Sequence, residues 1–221
     1  LNIGVPSNKL ALTGSLKDSA KKLVFDEHIM KQFLDAASEQ KIWLAACTHS
    51  GEDEIVLKAH KKIGGILLIA PRHIERGKHI ANLSRAMGFT TQLRSEVPEL
   101  QKETVVYIAD TMGEMGLWYS MVNIAFIGGS LVEKGGHNPV EAAQLETFIL
   151  HGPFTYNAED KYYQLNSLGV GVQIENADTL ANELKILRNK DPNKEFKRIK
   201  PFLQQNDTAL ITALDTIRLA I

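Results

Sequence analysis

The sequence predicts an α/β fold, a Rossmann-like, doubly wound parallel sheet with helices on both faces. Three observations carry that expectation. Short apolar runs bounded by turn residues recur along the chain, and the central ones are continuously apolar, as strands buried on both faces must be. Stretches of helical periodicity alternate with them, which is the order of βαβ units. The 221 residues, 44% apolar and 23% charged, suffice for one large domain with a sizeable core.

The strand candidates are residues 42–46, 65–70, 89–93, 104–109, 123–128, 147–150 and 169–174. The helix candidates are 26–38, 52–62, 73–87, 114–121, 138–145, 157–167 and 178–190. No strand signal returns afterwards, so 191–221 reads as C-terminal helices broken near Pro201 and the polar stretch 204–207. Residues 1–25 read as a linker or domain-crossing segment with a short strand candidate at 10–13, leaving 26–190 as the domain proper. The chain starts on Leu1 without a signal-peptide pattern, and is expected to be an excised domain of a longer protein.

Charge narrows the function. Twenty-five Lys and Arg against 26 Asp and Glu give a net charge of −1, so overall charge argues against a nucleic-acid partner. The single cysteine, Cys47, cannot form an internal disulfide, no Cys/His spacing resembles a zinc site, and no metal is expected. The longest apolar stretches, 66–71 and 122–129, fall short of the ~20 residues that span a bilayer, so the chain is expected to be soluble.

In an open parallel sheet, ligands bind at the carboxyl ends of the strands, which directs attention to the loops that follow them. After the first strand, Thr48-His49-Ser50-Gly51-Glu52-Asp53-Glu54 supplies a helix start: Ser50 or Thr48 can cap it, and first-turn acids suit its dipole. His49, in the loop itself, is the functional candidate. After the second, Pro71-Arg72-His73-Ile74-Glu75-Arg76-Gly77-Lys78-His79 crowds cations where the helix dipole disfavours them, so an anion is expected there. Arg72 is nearest the strand end and can grip a phosphate or carboxylate in a bidentate way, whereas Arg76 and Lys78 read as solvated.

After the fourth strand, Thr111-Met112-Gly113-Glu114 is a polar turn in which Gly113 lets the backbone approach a ligand closely, with Glu114 otherwise a first-turn acid. The richest segment is Gly128-Gly129-Ser130-Leu131-Val132-Glu133-Lys134-Gly135-Gly136-His137-Asn138-Pro139-Val140-Glu141. Asn138 as N-cap, Pro139 in the first turn and Glu141 as a capping-box acid explain the helix start alone. They do not explain four glycines around a Lys-x-x-His. Main-chain N–H groups there would cradle a phosphate, although the spacing matches neither the dinucleotide fingerprint nor the P-loop. Finally, Asn157 after the Gly152-Pro153 turn reads as a helix cap.

Glu133 and Glu141 form an E-x7-E pair behind a Gly-Gly turn, an arrangement that resembles the donor-binding half of GT-B glycosyltransferases. More specific are Gly14-Ser15-Leu16-Lys17, Thr48-His49-Ser50-Gly51-Glu52, Pro71-Arg72-His73, Asp110-Thr111-Met112-Gly113-Glu114 and Gly128 to Pro139. In this order they resemble the bacterial Kdo transferase family over residues 9–190. That family moves 3-deoxy-manno-octulosonic acid (Kdo) from CMP-Kdo to the lipid A precursor of lipopolysaccharide. The chain departs from it at Asp18-Ser19, where the family word continues with Phe-Asp.

The resemblance implies the C-terminal, donor-binding domain of a two-domain GT-B enzyme. It implies CMP contacts from Pro71, Arg72, Met112, Gly113, Glu114, Asn138, Pro139, Val140 and Glu141, and stabilisation of leaving-group charge by Lys17. His49, Gly129, Ser130, Lys134 and His137 are candidate contacts to the donor sugar or phosphate. Glu141 and Glu114 are expected to accept from ribose hydroxyls and the cytosine amine. No cofactor is implied. The general base, the acceptor surface for the lipid A precursor and any membrane contact would lie with the N-terminal domain, at the cytoplasmic face of the inner membrane. This half alone is expected to be inactive. Two other readings share the half-fold: a UDP-sugar 2-epimerase, and a non-catalytic nucleotide-binding module.

Overall fold

Seven strands and eight helices alternate through the described residues of the computed structural model, 23–197, 199–201 and 216–218. Lys17 and the strand candidate at 10–13 lie outside the described residues. The order is α1 (Glu27–Ala37), β1 (Ile42–Thr48), α2 (Glu52–His60), β2 (Ile66–Pro71), a 3-10 turn (Ile74–Arg76) leading into α3 (Gly77–Ala86), β3 (Thr91–Leu93), β4 (Val106–Ile108), α4 (Met115–Ser120), β5 (Ile124–Ile127), α5 (Val140–Gln144), β6 (Phe148–His151), α6 (Glu159–Ser167), β7 (Gly171–Gln173), α7 (Ala177–Leu187) and α8 (Pro192–Phe196).

The sheet runs β3-β4-β2-β1-β5-β6-β7 with every pairing parallel. A parallel sheet must be covered on both faces, and the registers show how. Trp43, Leu67 and Val106 are mutual partners, as are Leu44, Leu68 and Tyr107 one residue on. Successive residues point to opposite faces, so Trp43 and Tyr107 look opposite ways. Trp43 meets His60 of α2, donating its indole N–H to Nδ1 at 3.1 Å, and His60 packs on Phe89. Tyr107 meets Phe33 of α1 and Trp118 of α4, with ring centroids 5.1 and 5.8 Å away. Every residue of β2 is buried.

The elements differ from the sequence expectation mainly at their ends. The expected strand 89–93 starts at Thr91, because Phe89 turns aside to pack on His60. The expected helix 138–145 shortens to Val140–Gln144: Pro139 occupies the N-cap position, and Asn138 Oδ1 accepts the Val140 amide at 3.0 Å. The first of the C-terminal helices is α8, capped by the Asp191 carboxylate on the Asn193 amide. Among the described residues no helix is long and apolar enough to cross a membrane.

The direction in which strands are added across the sheet reverses between β1 and β5. From β1 the chain builds outward through β2 to β4 and β3, and β5 then begins the other half on the opposite side of β1. This is the topological switch point, where the loops after β1 and β5 diverge and leave a crevice. Its floor is tight. Gly128 donates its amide to the Ala46 carbonyl at 2.7 Å, and a Cβ on Gly128 would lie 2.4 Å from the Cys47 carbonyl oxygen.

Gly128→Ala should therefore force β1 and β5 apart at their ends, an overpacking cost of about 1–3 kcal/mol. At roughly 2–4 °C per kcal/mol for a chain of this size, scanning calorimetry should register a clear drop in Tm. An unchanged Tm would mean that the Cys47 carbonyl can move away freely.

Candidate functional site

The rim of the crevice begins with a bulge. β1 pairs regularly with β2 from Ile42 to Ala46, the register then shifts, and Cys47 adopts φ 55 before Thr48 pairs with Pro71. The bulge aims the Thr48 carbonyl at the next loop, where it accepts from the Arg72 amide at 3.1 Å and from Arg76 Nη1 at 2.7 Å. Thr48 Oγ1 donates to Asp53 at 2.7 Å, and Arg76 forms an ion pair with the same carboxylate. Arg76 is thus not the solvated side chain its sequence position suggested. It clamps the loop after β2 to the loop after β1.

A second carboxylate joins β1 to β5. Glu52, fully buried, accepts the amides of His49 and Gly129 on Oε2, each at 2.8 Å, and those of Ser130 and Leu131 on Oε1 at 3.1 and 2.9 Å. Burial pushes its carboxyl upward, while the four donors favour the charged form. The amides that the sequence offers to a phosphate at Gly129 and Ser130 are therefore already occupied by a side chain of the protein itself. Gly129 makes this possible with φ 70, a conformation that disfavours a side chain and turns the strand end over Glu52.

The rest of the glycine loop is tied down from outside. Gly136 and His137 donate back to the carbonyls of Gly129 and Gly128, at 2.8 and 3.2 Å. Asn157 does not cap α6, whose N-cap is Ala158. Its side-chain amide donates instead to the carbonyls of Lys134 and Gly136, at 2.7 and 3.3 Å. Tyr162 Oη donates to the His137 carbonyl at 2.6 Å.

What this scaffold presents is a pair of histidines bonded to each other beside charged side chains that form no ion pair among the described residues. His49 and His137 meet at the crevice with their Nε2 atoms 2.9 Å apart. Burial, then the neighbouring His73, Arg76, Lys134 and Arg72, holds the His49 imidazole below its usual value. Burial, His49, Arg72 and His73 bring His137 down to about 4. Among the described residues no ion pair or side-chain hydrogen bond engages Arg72, Lys134 or Glu141. Glu141 is half-buried, and burial raises its carboxyl. Cys47 lies within the fields of both Arg72 and Glu141, which puts those two residues on one side of the molecule; burial pushes its thiol up to about 11, so it is no nucleophile at neutral pH.

The turn after β4 flanks the same rim, because β4 neighbours β2. Met112 is 76% exposed and Gly113 has φ 82 with open space around it. Glu114 takes a bidentate grip from Arg94, at 2.6 Å from Nη2 and 3.2 Å from Nε, and a hydrogen bond from Thr111. Burial opposes its charge, but Arg94 and Thr111 outweigh it and hold the carboxyl below the usual range. Pro71, Asn138, Pro139 and Val140 shape the backbone of the rim and present no titratable group. No group of three or more His, Cys, Asp or Glu among the described residues could hold a metal ion.

No family model matches the chain. It is 32% identical to the 3-deoxy-D-manno-octulosonic acid transferase of Haemophilus influenzae over 98% of its own length and 53% of that protein's. It is 29% identical to the transferase of the same name from Rickettsia bellii, covering 92% of the chain and 51% of that protein. The chain thus spans about half the length of these relatives. Among solved structures it is similar to the C-terminal CMP-Kdo binding domain of WaaA from Acinetobacter baumannii, with a TM-score of 0.64, 24% identity, and coverage of 84% of this chain and 99% of that one. A Rickettsia africae glycosyltransferase matches 92% of this chain and 54% of its own, with a TM-score of 0.54 and 13% identity. The fold is that of the C-terminal half of GT-B glycosyltransferases.

Glu52→Gln would turn one acceptor oxygen into an NH2 group facing amide donors, and each buried N–H left unsatisfied costs about 1–3 kcal/mol. Urea unfolding should show a loss of at least about 2 kcal/mol. Wild-type stability in this variant would mean that the amides of residues 129–131 find other acceptors.

Proposed function

We propose that this chain, a homologue of the Kdo transferases over 98% of its length, is the CMP-Kdo-binding half of such an enzyme. One observation carries the reading: Arg72, Lys134, Glu141 and the His49–His137 pair, none of them ion-paired among the described residues, lie together at the switch point of a GT-B-type sheet. A site left with cations at the strand ends is built for an anionic ligand.

The roles follow from what is free and what is taken. With the amides of 129–131 on Glu52, the donor phosphate is met by side chains: Arg72, which can bind it in a bidentate way, and Lys134 and the two histidines around it. The same cations can face the carboxylate of the sugar. Glu141 accepts from ribose hydroxyls. Glu114 has lone pairs beyond those that Arg94 and Thr111 use, so it can take the cytosine amine while Arg94 holds it ionised. Pro71, Met112, Gly113, Asn138, Pro139 and Val140 give the nucleotide its walls. As the bond to the sugar breaks, negative charge grows on the CMP phosphate, and preorganised cations are then worth most. Lys17, outside the described residues, would add to them.

Transfer to a lipid A precursor requires a base for the attacking hydroxyl and a surface for the lipid. In this reading the N-terminal half of such an enzyme brings both, at the cytoplasmic face of the inner membrane, and this half alone does not turn over.

Titration of CMP into the chain should shift the backbone amide resonances of His49, Arg72, Gly113, His137 and Glu141, and UMP should bind more weakly. Arg72→Ala should weaken CMP at least about tenfold, the worth of one charged hydrogen bond of roughly 1.5–3 kcal/mol, and flatten the salt dependence of binding. Shifts confined to another face, or tighter binding of UMP, would overturn the reading.

A further inference from the structure

The two histidines at the switch point are linked in a way that limits the protons they can hold. His49 comes from the loop after β1 and His137 from the loop after β5, 88 residues apart in sequence, with Nε2 to Nε2 at 2.9 Å. Their ring planes differ by 6° and their centroids are 5.1 Å apart. That separation exceeds the nitrogen-to-nitrogen distance by about two ring radii, so the rings meet edge to edge in a common plane. One Nε2–H donates to the lone pair of the other Nε2. Two Nε2 protons cannot face each other at this distance. The linked pair therefore exists either with both rings neutral or with one extra proton and a single positive charge, the extra proton residing on an Nδ1.

The surroundings decide between these forms. Packed against the pair are His73, edge-on to His49 with centroids 6.0 Å apart, and Arg72 and Arg76 from the same loop. Lys134 faces it from the glycine loop. Tyr162 of α6 bonds only to the His137 carbonyl, and the Glu52 carboxylate is directed at backbone amides, that of His49 included. Glu75, 3.8 Å from His73, is exposed. Cations and burial thus favour the neutral form of the pair. An anion placed among Arg72, Lys134 and the pair reverses that field, and an opposite charge within ~4–6 Å raises an imidazole's affinity for a proton by about 1–3 pK units.

We propose that the His49–His137 pair is a proton-coupled anion receptor, taking up one proton from solvent as the phosphate of the bound nucleotide enters the crevice. The inference rests on the reading of this rim as a nucleotide-phosphate site and deepens it. The extra proton goes to Nδ1 of the donor ring, the Nε2–H···Nε2 bond is kept, and the added positive charge offsets the charge of the ligand. The site is thereby cationic enough to hold an anion only while one is present.

The test uses cytidine 5′-(methyl phosphate), a diester whose single charge does not change over the working range, unlike CMP, whose second ionisation near pH 6 would blur the count. Calorimetric titration of the chain between about pH 5 and 7, in two buffers of different ionisation enthalpy, should show uptake that peaks between the proton affinities of the free and bound pair and there reaches the larger part of one proton per ligand. Affinity should rise as pH falls, by up to about tenfold per pH unit. Uncharged cytidine should bind without uptake. The double variant His49→Gln/His137→Gln, which keeps a hydrogen bond across the crevice but carries no imidazole there, should bind the diester with no uptake and with pH-independent affinity. Imidazole 15N spectra of the wild type should show a ring nitrogen becoming protonated on binding. Diester binding without proton uptake at any pH between about 5 and 8, or undiminished uptake in the double variant, would overturn the proposal while leaving the nucleotide site in place. Failure of both CMP and the diester to bind would overturn the nucleotide reading, and the proton coupling with it.

Discussion

The arrangement of the crevice depends on one buried carboxylate. Glu52 gathers four backbone amides from two loops that diverge at the switch point, joining the first turn of α2 to the end of β5 across 77 to 79 residues of sequence. A charge so deeply buried is tolerable only because its oxygens are fully engaged. Charged hydrogen bonds are directional, so Glu52 also fixes where His49 stands relative to Gly129, and through Gly129 where the glycine loop folds back. Asp53, the next residue, does the same between the loops after β1 and β2, holding Thr48 and Arg76. Two adjacent acids at a helix start thus hold three loops at fixed positions around the crevice.

Most of the fold was legible because burial on both faces leaves an unmistakable trace. A strand such as Ile66–Pro71, with no exposed residue, must be apolar throughout, and the helices that cover it must alternate with it. The crevice proposed as the site was legible for a topological reason, since ligands of parallel sheets bind at the loops after the strands and these loops carry the cations and glycines. The three bracing side chains were not. Glu52 looks like any first-turn acid, Arg76 like a surface cation and Asn157 like a helix cap, and each local role is chemically sound. What each does instead depends on a partner outside its own turn, 77 residues away for the Gly129 amide, and nothing within the turn records it.

The same pairing changes how the site can meet charge. Main-chain amides at a strand end would have been a fixed, pH-independent cradle for an anion. With Glu52 on the amides of Gly129, Ser130 and Leu131, the groups left to meet a ligand in the proposed site are guanidinium, ammonium and imidazole. A protein gains from this if the ligand must leave again. Fixed donors hold a product phosphate as firmly as a substrate phosphate, whereas side chains can move and imidazoles can change their charge.

That distinction bears on a reaction in which the ligand changes charge while bound. A phosphodiester carries one negative charge, and the phosphate monoester left after transfer carries between one and two near neutral pH. Two histidines that share one bond and hold at most one positive charge limit how strongly the crevice can respond, and Arg72 and Lys134, permanently charged, provide the remainder. These side chains are positioned by the rigid part of the structure: the bulge at Cys47, the close approach of Gly128 and the buried acids at the start of α2. On the proposed reading, a chain whose net charge is nearly zero can in this way select an anionic ligand at one place.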